Sequence, residues 1–127
     1  MSAAPLLGGC LCKAVRYSAR GPVARVNHCH CDMCRRTSGA IAATWATVPL
    51  AGFELNGRPA EYRASGFATR SFCASCGSTL FWQRDGDATI DLAVGTLDDA
   101  GGISATRHDH VEGRFAGFSL DPHLPAY

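Results

Sequence analysis

Seven cysteines, grouped in three short clusters, limit the folds open to this 127-residue chain more than any other property of its sequence. The clusters are C-x-C at residues 10–12, C-x-C-x-x-C at residues 29–34 and C-x-x-C at residues 73–76. One or two intervening residues let the backbone fold around an ion so that both thiolates reach it at about 2.3 Å. Gly77, directly after the third cluster, predicts a tight turn that needs a positive φ or an open backbone N–H. The spacing therefore predicts metal sites.

The number of sulfur atoms in each cluster indicates how the clusters divide between ions. The middle cluster holds three sulfurs within six residues and can surround one ion alone, whereas each outer cluster supplies two. We therefore expect two zinc ions per chain, since zinc suits thiolate ligands in a non-redox cytosolic protein. Four protein ligands close a structural site, and three leave a position for water or substrate at a catalytic site. The expected ligands are Cys10, Cys12, Cys73 and Cys76 for the structural zinc, and Cys29, Cys31 and Cys34 for the catalytic zinc.

Other uses of the cysteines remain open on this reasoning. A histidine as the fourth ligand of the second ion would make both sites structural. The candidates for that ligand are His28, His30, His108, His110 and His123. Disulfides would leave an odd thiol and are rare in a reducing compartment, and buried free thiols do not predict three clusters at ligand spacing. An iron–sulfur cluster fits the ligand count but matches no spacing in the chain.

Short alternating or β-branched runs predict a mainly β fold. The predicted strands lie at residues 14–17, 23–27, 41–48, 69–73, 79–83 and 89–94, with weaker candidates at 108–111 and 114–118. No amphipathic helix of ten or more residues is predicted, and at most one helical turn follows Cys31 over residues 32–36. The expected fold is one small, mostly antiparallel β domain over residues 1–127, in which metal cross-links reduce the demand on the core.

The charge balance argues against two classes of partner. The chain has 12 Lys and Arg against 11 Asp and Glu, a net charge of +1. Nucleic acids and anionic membranes both call for a one-sided positive field. No apolar run approaches the roughly 20 residues of a membrane helix. The first residues lack a cationic segment followed by a long apolar one, so no signal peptide is predicted and the cytoplasm is the expected location.

Three longer motifs carry a family resemblance. They are GGCLCKAVRY at residues 8–17, HCHCDMCRRTSG at 28–39 and FCASCGSTLF at 72–81. Together they resemble the glutathione-dependent formaldehyde-activating enzymes, a family that also contains centromere protein V. The resemblance implies a β-tent fold of two facing sheets, two zincs and the same division of the cysteines into a structural and an active site. Lys13 stands where many members of that family have glycine, and this chain is shorter than the named enzymes.

A three-cysteine zinc with an open position suits chemistry on a substrate thiol. Metal coordination lowers the pKa of a thiol, and the resulting thiolate adds to a small aldehyde to form a hemithioacetal. The resemblance implies this reaction with glutathione and formaldehyde, as in S-(hydroxymethyl)glutathione synthase, a carbon–sulfur lyase. Arg35, Arg36 and Ser38 are the predicted substrate-binding residues, because arginines attract a carboxylate-bearing thiol and serine offers a hydroxyl. His28 or His30 is predicted to move a proton or to orient a thiolate ligand.

Two other functions remain compatible with the sequence. One is a non-catalytic module that binds a thiol metabolite at the open zinc. The other is a zinc domain that binds nucleic acid or chromatin, which the near-zero charge and the single lysine disfavour. Trp45, Phe53, Phe81 and Trp82 are predicted to be core residues or pocket walls. Nothing in the sequence indicates the oligomeric state.

Overall fold

In the computed structural model, residues 4–127 form ten β-strands, one α-helix and three short 3-10 helices. The strands are β1 (Leu6–Gly9), β2 (Arg16–Ala19), β3 (Arg25–Cys29), β4 (Ala43–Pro49), β5 (Phe53–Asn56), β6 (Ala60–Tyr62), β7 (Ala68–Phe72), β8 (Thr79–Arg84), β9 (Thr89–Ala93) and β10 (Arg107–Asp109). The α-helix, α1, spans Asp32–Ser38, and the 3-10 helices span Leu50–Gly52, Val94–Thr96 and Val111–Gly113. The predicted mainly β fold class is confirmed.

The strands form two sheets. The smaller sheet has the order β1-β2-β5, and the larger has the order β10-β3-β4-β9-β8-β7-β6. All strand pairs are antiparallel except β10 with β3, which runs parallel. Short connections suffice for antiparallel neighbours, so a small chain can build most of both sheets from strands that lie close together in sequence. The predicted two-sheet, mostly antiparallel arrangement is thus confirmed.

The main core lies between the two sheets. The smaller sheet contributes Tyr17 and Ala19, and the larger contributes Leu80, Phe81 and Leu92. Tyr17 and Phe81 pack edge to face with ring centroids 5.1 Å apart, a favoured aromatic geometry. The larger sheet also has a second buried face, where Trp45 packs with cysteines of the middle cluster. One face of this sheet therefore builds the core, and the other face supports a separate site.

The sequence predictions located most of the strands and missed three of the short ones. Six of the predicted strands correspond to β2, β3, β4, β7, β8 and β9, and the weaker candidate at 108–111 corresponds to β10. The candidate at 114–118 is wrong, because this segment is irregular and Phe118 packs edge to face on the His30 ring. The missed strands β1, β5 and β6 have four residues or fewer. Segments this short form strands only because a neighbouring strand pairs with them.

The single predicted helical turn extends to a seven-residue helix. It ends at Gly39, whose φ of 71° lies in the left-handed region that closes many helices. No helix in the described part of the chain has the length and apolar character that crossing a bilayer requires.

Candidate metal centres and active site

The four-cysteine cluster joins two loops that belong to different sheets. Cys10 and Cys12 lie between β1 and β2, whereas Cys73 and Cys76 lie between β7 and β8. The four sulfurs lie within 4.8 Å of one another, and Cys12 Sγ is 3.6 Å from Cys10 Sγ and 3.7 Å from Cys73 Sγ. Four sulfurs held about 2.3 Å from zinc at tetrahedral angles are about 3.8 Å apart. The donor set therefore fits a tetrahedral ion, and its separations are too long for disulfide bonds.

The loop that carries Cys73 and Cys76 is shaped by local hydrogen bonds. The Cys76 N–H lies 3.5 Å from Cys73 Sγ, and the Gly77 N–H donates to the Cys73 carbonyl at 2.8 Å. Gly77 has a φ of 80°, so the turn predicted at this position uses a positive φ. Hydrogen bonding to Ser78, whose hydroxyl lies 3.2 Å from Cys76 Sγ, lowers the pKa of Cys76 to about 5. The loop therefore holds a sulfur ready to act as a thiolate ligand.

The other loop of this cluster contains a strained residue. Lys13 has a φ of 70°, and its N–H lies 3.2 Å from the Cys10 carbonyl oxygen in the turn that brings Cys10 and Cys12 together. A side chain with a Cβ costs roughly 1–2 kcal/mol in this left-handed region, whereas glycine adopts it freely. The difference from glycine noted in the sequence therefore falls at a position where the backbone favours glycine.

The three-cysteine cluster is built within one short segment. Cys29 ends β3, Cys31 is the N-cap of α1, and Cys34 lies in the first turn of that helix. Their sulfurs lie within 4.8 Å of one another, so this group also fits an ion, with one position left for another ligand. The Cys34 N–H lies 3.2 Å from Cys31 Sγ. Hydrogen bonds from the Cys29 and Cys34 thiols hold the pKa of Cys31 well below its usual range.

No histidine completes the three-cysteine cluster within residues 4–127. His28 Nδ1 lies 2.8 Å from the Thr44 hydroxyl. His30 is completely buried, with its Nε2 3.0 Å from His108 Nδ1, while His108 Nε2 accepts a hydrogen bond from the Asp121 N–H at 3.1 Å. Because His108 Nε2 accepts, a neutral His108 carries its proton on Nδ1 and donates it to His30. The geometry disfavours the alternative of three cysteines and one histidine.

Burial explains why His28 and His30 do not fit the predicted role in proton transfer. Burial lowers the pKa of His28 and of His30, so both rings favour the neutral form. Neither ring lines the cleft beside the cysteines, and the His30 ring is hydrogen-bonded to His108 rather than to a thiol. These histidines lie outside the cleft and pack beside the segment that carries Cys29 and Cys31.

A cleft of about 530 Å³ opens onto the three-cysteine cluster. Its floor is the second face of the larger sheet, where β3, β4, β9, β8 and β7 lie side by side. The side chains that line it are the three cysteines with Arg25, Asn27, Met33, Trp45, Ser65, Phe67, Arg70, Trp82, Arg84, Asp91, Asp109 and His110. The prediction for Trp45 and Trp82 as pocket walls is confirmed, and Phe53 and Phe81 belong to the core side. Apolar walls with a few converging polar groups are typical of small-molecule sites.

A basic residue that the sequence analysis did not predict for the site, Arg70, lies beside the cysteines in this cleft. Its side chain is buried, and its Nη1 and Nη2 atoms lie 3.8 and 3.7 Å from Cys34 Sγ. Nη1 also donates to the Thr37 hydroxyl at 3.3 Å. A signal was present in the sequence, because strand alternation places Arg70 on the same buried face of β7 as Ala68.

The three predicted substrate-binding residues lie outside this cleft. Arg35 pairs with Asp32 at 2.9 Å and stacks on the Phe115 ring, with its Cζ 4.2 Å from the ring centroid. Arg36 also pairs with Asp32 at 2.9 Å and is largely exposed. The Ser38 hydroxyl donates to the Cys34 carbonyl at 2.7 Å, within the helix. Their placement gives the substrate-binding prediction no support, and Arg25, Arg70 and Arg84 are the arginines that line the cleft.

Two further polar residues of the cleft have unusual surroundings. Asp91 accepts a hydrogen bond from the Thr47 hydroxyl at 2.6 Å, and burial raises the pKa of its carboxyl group. His110 is the one histidine among those described that lines the cleft, and its φ of 56° is left-handed. Strained backbone at a residue with a Cβ often marks a functional site. In the sequence, Asp91 alternates with Ile90 and Leu92 in a predicted strand and is not a candidate site residue, and His110 is only a candidate metal ligand.

Fold and site together define a class: a two-sheet β protein with two cysteine groups that can hold metal ions, one of which opens into a cleft. A sequence model of the family described as glutathione-dependent formaldehyde-activating enzyme matches residues 5–113, and the chain belongs to that family. The family resemblance predicted from the three motifs is confirmed.

Individual proteins are also similar to this chain. An uncharacterized lyase of Schizosaccharomyces pombe is 32% identical over 83 residues, which cover 59% of this chain and 55% of that protein. The chain thus matches only about half the length of this curated relative. A crystal structure of a Rhodobacter sphaeroides protein superposes with a TM-score of 0.63 at 25% identity, covering 78% of this chain and 91% of that one. This structural likeness supports the fold.

Proposed function

We propose that residues 1–127 act as a single zinc-binding domain with carbon–sulfur lyase activity. The substrate is the adduct of a thiol, such as glutathione, with a small aldehyde, such as formaldehyde. Zinc held by Cys29, Cys31 and Cys34 would supply one open coordination position and lower the pKa of a substrate thiol that enters as the fourth ligand. Cys10, Cys12, Cys73 and Cys76 hold a second, structural zinc. The family and the lyase name of the Schizosaccharomyces pombe relative support the reaction class.

The observation that carries the proposal is the opening of the three-cysteine cluster into the cleft. All three cysteines line that cleft, whereas none of the four cysteines of the other cluster does. No histidine nitrogen within residues 4–127 occupies the vacant side of the three sulfurs. A ligand that enters the cleft can therefore approach the three sulfurs without displacing a histidine ligand.

We propose roles in the reaction for the other residues that line the cleft. In the forward direction the thiolate sulfur forms a bond to the aldehyde carbon, and the carbonyl oxygen gains the π-electron pair and then a proton. His110 is the residue proposed to exchange that proton through its imidazole, because it is the one histidine within residues 4–127 that lines the cleft. Trp45 and Trp82 exclude water from one side of the adduct. The exposed Arg25 and Arg84 can bind carboxylates of the thiol.

The test is catalysis of the exchange between formaldehyde and its glutathione adduct. Because the adduct also forms without a catalyst, the rate is measured at equilibrium by exchange NMR with ¹³C-labelled formaldehyde, with and without the protein. We expect the zinc-loaded protein to accelerate the exchange, and Cys34→Ser to abolish the acceleration. Zinc analysis of the same samples should give two ions per wild-type chain and one per Cys34→Ser chain.

The same experiment distinguishes the alternatives. A protein that binds glutathione but leaves the exchange rate at its uncatalysed value is a thiol-binding module, and the lyase proposal is then wrong. A protein with one zinc per chain contradicts the two-site arrangement. Removal of zinc followed by its return is the control, since activity that depends on the metal should come back with it.

A further inference from the structure

Arg70 is a buried cation whose guanidinium group lies against the sulfur of a cysteine. The residue lies in the middle of β7, between Tyr62 of β6 and Trp82 of β8, and only 7% of its surface is exposed. Both terminal nitrogens lie within 3.8 Å of Cys34 Sγ, and the Thr37 hydroxyl accepts from one of them. The guanidinium group is therefore held against the sulfur by the strand on one side and by α1 on the other.

The charge of Arg70 must be balanced by the cysteines. Burying a guanidinium group is unfavourable unless an opposite charge faces it. Within residues 4–127, no carboxylate oxygen lies within 4.0 Å of its nitrogens. Arginine stays charged at all physiological pH values, so its charge is a permanent property of the site. The compensating negative charge would be that of the cysteine thiolates when they hold a metal ion.

The charge count of the three-cysteine site shows what this cation changes. Three thiolates and one divalent ion sum to −1, and Arg70 brings the total to zero. A fourth ligand that is itself an anion therefore approaches a neutral group rather than a negative one. Arg25 and Arg84 also line the cleft, but both are exposed to solvent, which screens their charge. The buried position of Arg70 makes its contribution the largest of the three.

We infer that Arg70 is a specificity-determining residue, which makes the open position of the three-cysteine site select a thiolate over neutral ligands. The inference rests on the proposed function, since it assumes that an ion occupies the cluster and that a thiol is its fourth ligand. Beyond the proposed function, the inference explains why a site with three negatively charged sulfurs can bind a fourth negatively charged sulfur. Arg70 acts through the charge of the whole group and not by contact with the reacting carbon.

The test compares an anionic and a neutral ligand at the same site. The protein is loaded with Co²⁺, whose visible absorption changes when a fourth ligand enters, and the four-cysteine site does not respond because it has no open position. 2-Mercaptoethanol, which brings no charge except that of its thiolate, and imidazole, which is neutral, are titrated separately under anaerobic conditions at constant pH. Dissociation constants are measured for wild type, Arg70→Met, Arg70→Lys and Arg58→Met.

We expect Arg70→Met to raise the dissociation constant of 2-mercaptoethanol roughly 10- to 100-fold, the order expected for one unscreened unit charge a few ångströms away. The dissociation constant of imidazole should rise less than about 3-fold. Arg70→Lys keeps the charge and should restore most of the thiol affinity. Arg58 is exposed and lies between β5 and β6, outside the cleft, so Arg58→Met is the matched control for loss of one positive charge. It should leave both dissociation constants unchanged.

The other outcomes overturn the inference. If Arg70→Met weakens the binding of both ligands equally, or of neither, Arg70 does not make the site discriminate between ligands by their charge. If the wild-type spectrum responds to imidazole but not to the thiol, the proposed function is wrong and the inference falls with it. Should Arg70→Met fail to retain two cobalt ions, Arg70→Gln, which is also neutral but keeps a hydrogen-bond donor, takes its place in the same comparison.

Discussion

The four-cysteine and three-cysteine clusters use the same ligand chemistry but draw on the chain differently. Cys10 and Cys73, which belong to one cluster, are separated by more than half of the described sequence and connect loops of the two sheets. Cys29, Cys31 and Cys34 lie within six residues, on one face of the larger sheet. The first cluster can therefore act as a cross-link between sheets, whereas the second cannot. A metal site that spans distant segments contributes to folding, and one built within a single segment is free to serve chemistry.

The surroundings of the two clusters also separate a structural cluster from one suited to chemistry. Cys10 and Cys73 belong to the core between the sheets. The three-cysteine cluster packs against Trp45 and opens into the cleft, with Arg70 beside Cys34. Only this cluster combines an open ligand position, a cavity and a buried cation. This difference is the basis of the predictions below.

Loss of one cysteine from each cluster should have opposite consequences. Cys73→Ser should prevent folding, because the structural zinc proposed for this cluster would contribute about 10–16 kcal/mol, as much as the entire stability of a typical domain. Cys34→Ser should remain folded, with a loss of about 1–3 kcal/mol, and lose the exchange activity. Circular dichroism during thermal unfolding, together with zinc analysis, measures both effects. If the two variants lose stability equally, the separation into a structural and a catalytic cluster is wrong.

A competing chelator should remove the two metals at different rates. An ion in the three-cysteine cluster would offer an open position, so a chelator could bind it before any thiolate leaves, whereas four protein ligands would close the other site. We expect one zinc per chain to be released at least about 10-fold faster than the other, as measured with a coloured chelator. Cys34→Ser is the control and should lack the fast phase.

The opposite order of release would also be informative. Cys12 is exposed, whereas Cys29 and Cys34 are buried. If the fast phase persists in Cys34→Ser and the slow phase is lost, exposure of the ligands governs release rather than the number of ligands. The comparison between the two clusters would then rest on burial alone.

The smallest effect is expected at the strained turn of the four-cysteine cluster. Lys13→Gly should raise stability by about 0.5 kcal/mol, because the relief of a left-handed φ exceeds the entropy that glycine adds to the unfolded chain. Lys13→Ala removes the charge but keeps the strain, so it should give no gain. Chemical denaturation of the three zinc-loaded proteins measures the differences. A gain with alanine as large as that with glycine would assign the effect to the lysine charge.

The sequence predictions are accurate where local patterns define the structure and fail where contacts between distant segments define it. Strands such as β4 and β9 were found because their alternation and β-branched content are local properties. β1, with its two glycines, and the three-residue β6 depend on pairing with β2 and β7, which the sequence does not display. The failure at residues 114–118 has the same cause, since Phe118 is positioned by the distant His30 ring.

For the site, the sequence identified the cysteines but not their neighbours. Arg35 and Arg36 follow Cys34 directly in the sequence, but both pair with Asp32 and neither lines the cleft, so their role in substrate binding stays a prediction. Arg70 reaches Cys34 from a strand 36 positions later in the chain. Proximity in sequence is a poor guide to contact once a helix or strand sets the direction of the side chain.

The cysteine spacing alone determined that the chain can chelate two ions and how the sulfurs divide, because chelation by C-x-C and C-x-x-C is a property of a few consecutive residues. Only the tertiary structure decided that the three-cysteine cluster faces a cleft and that a buried arginine lies against it. Those features depend on which strands are neighbours in the larger sheet, and strand order is set by long-range pairing rather than by any local pattern.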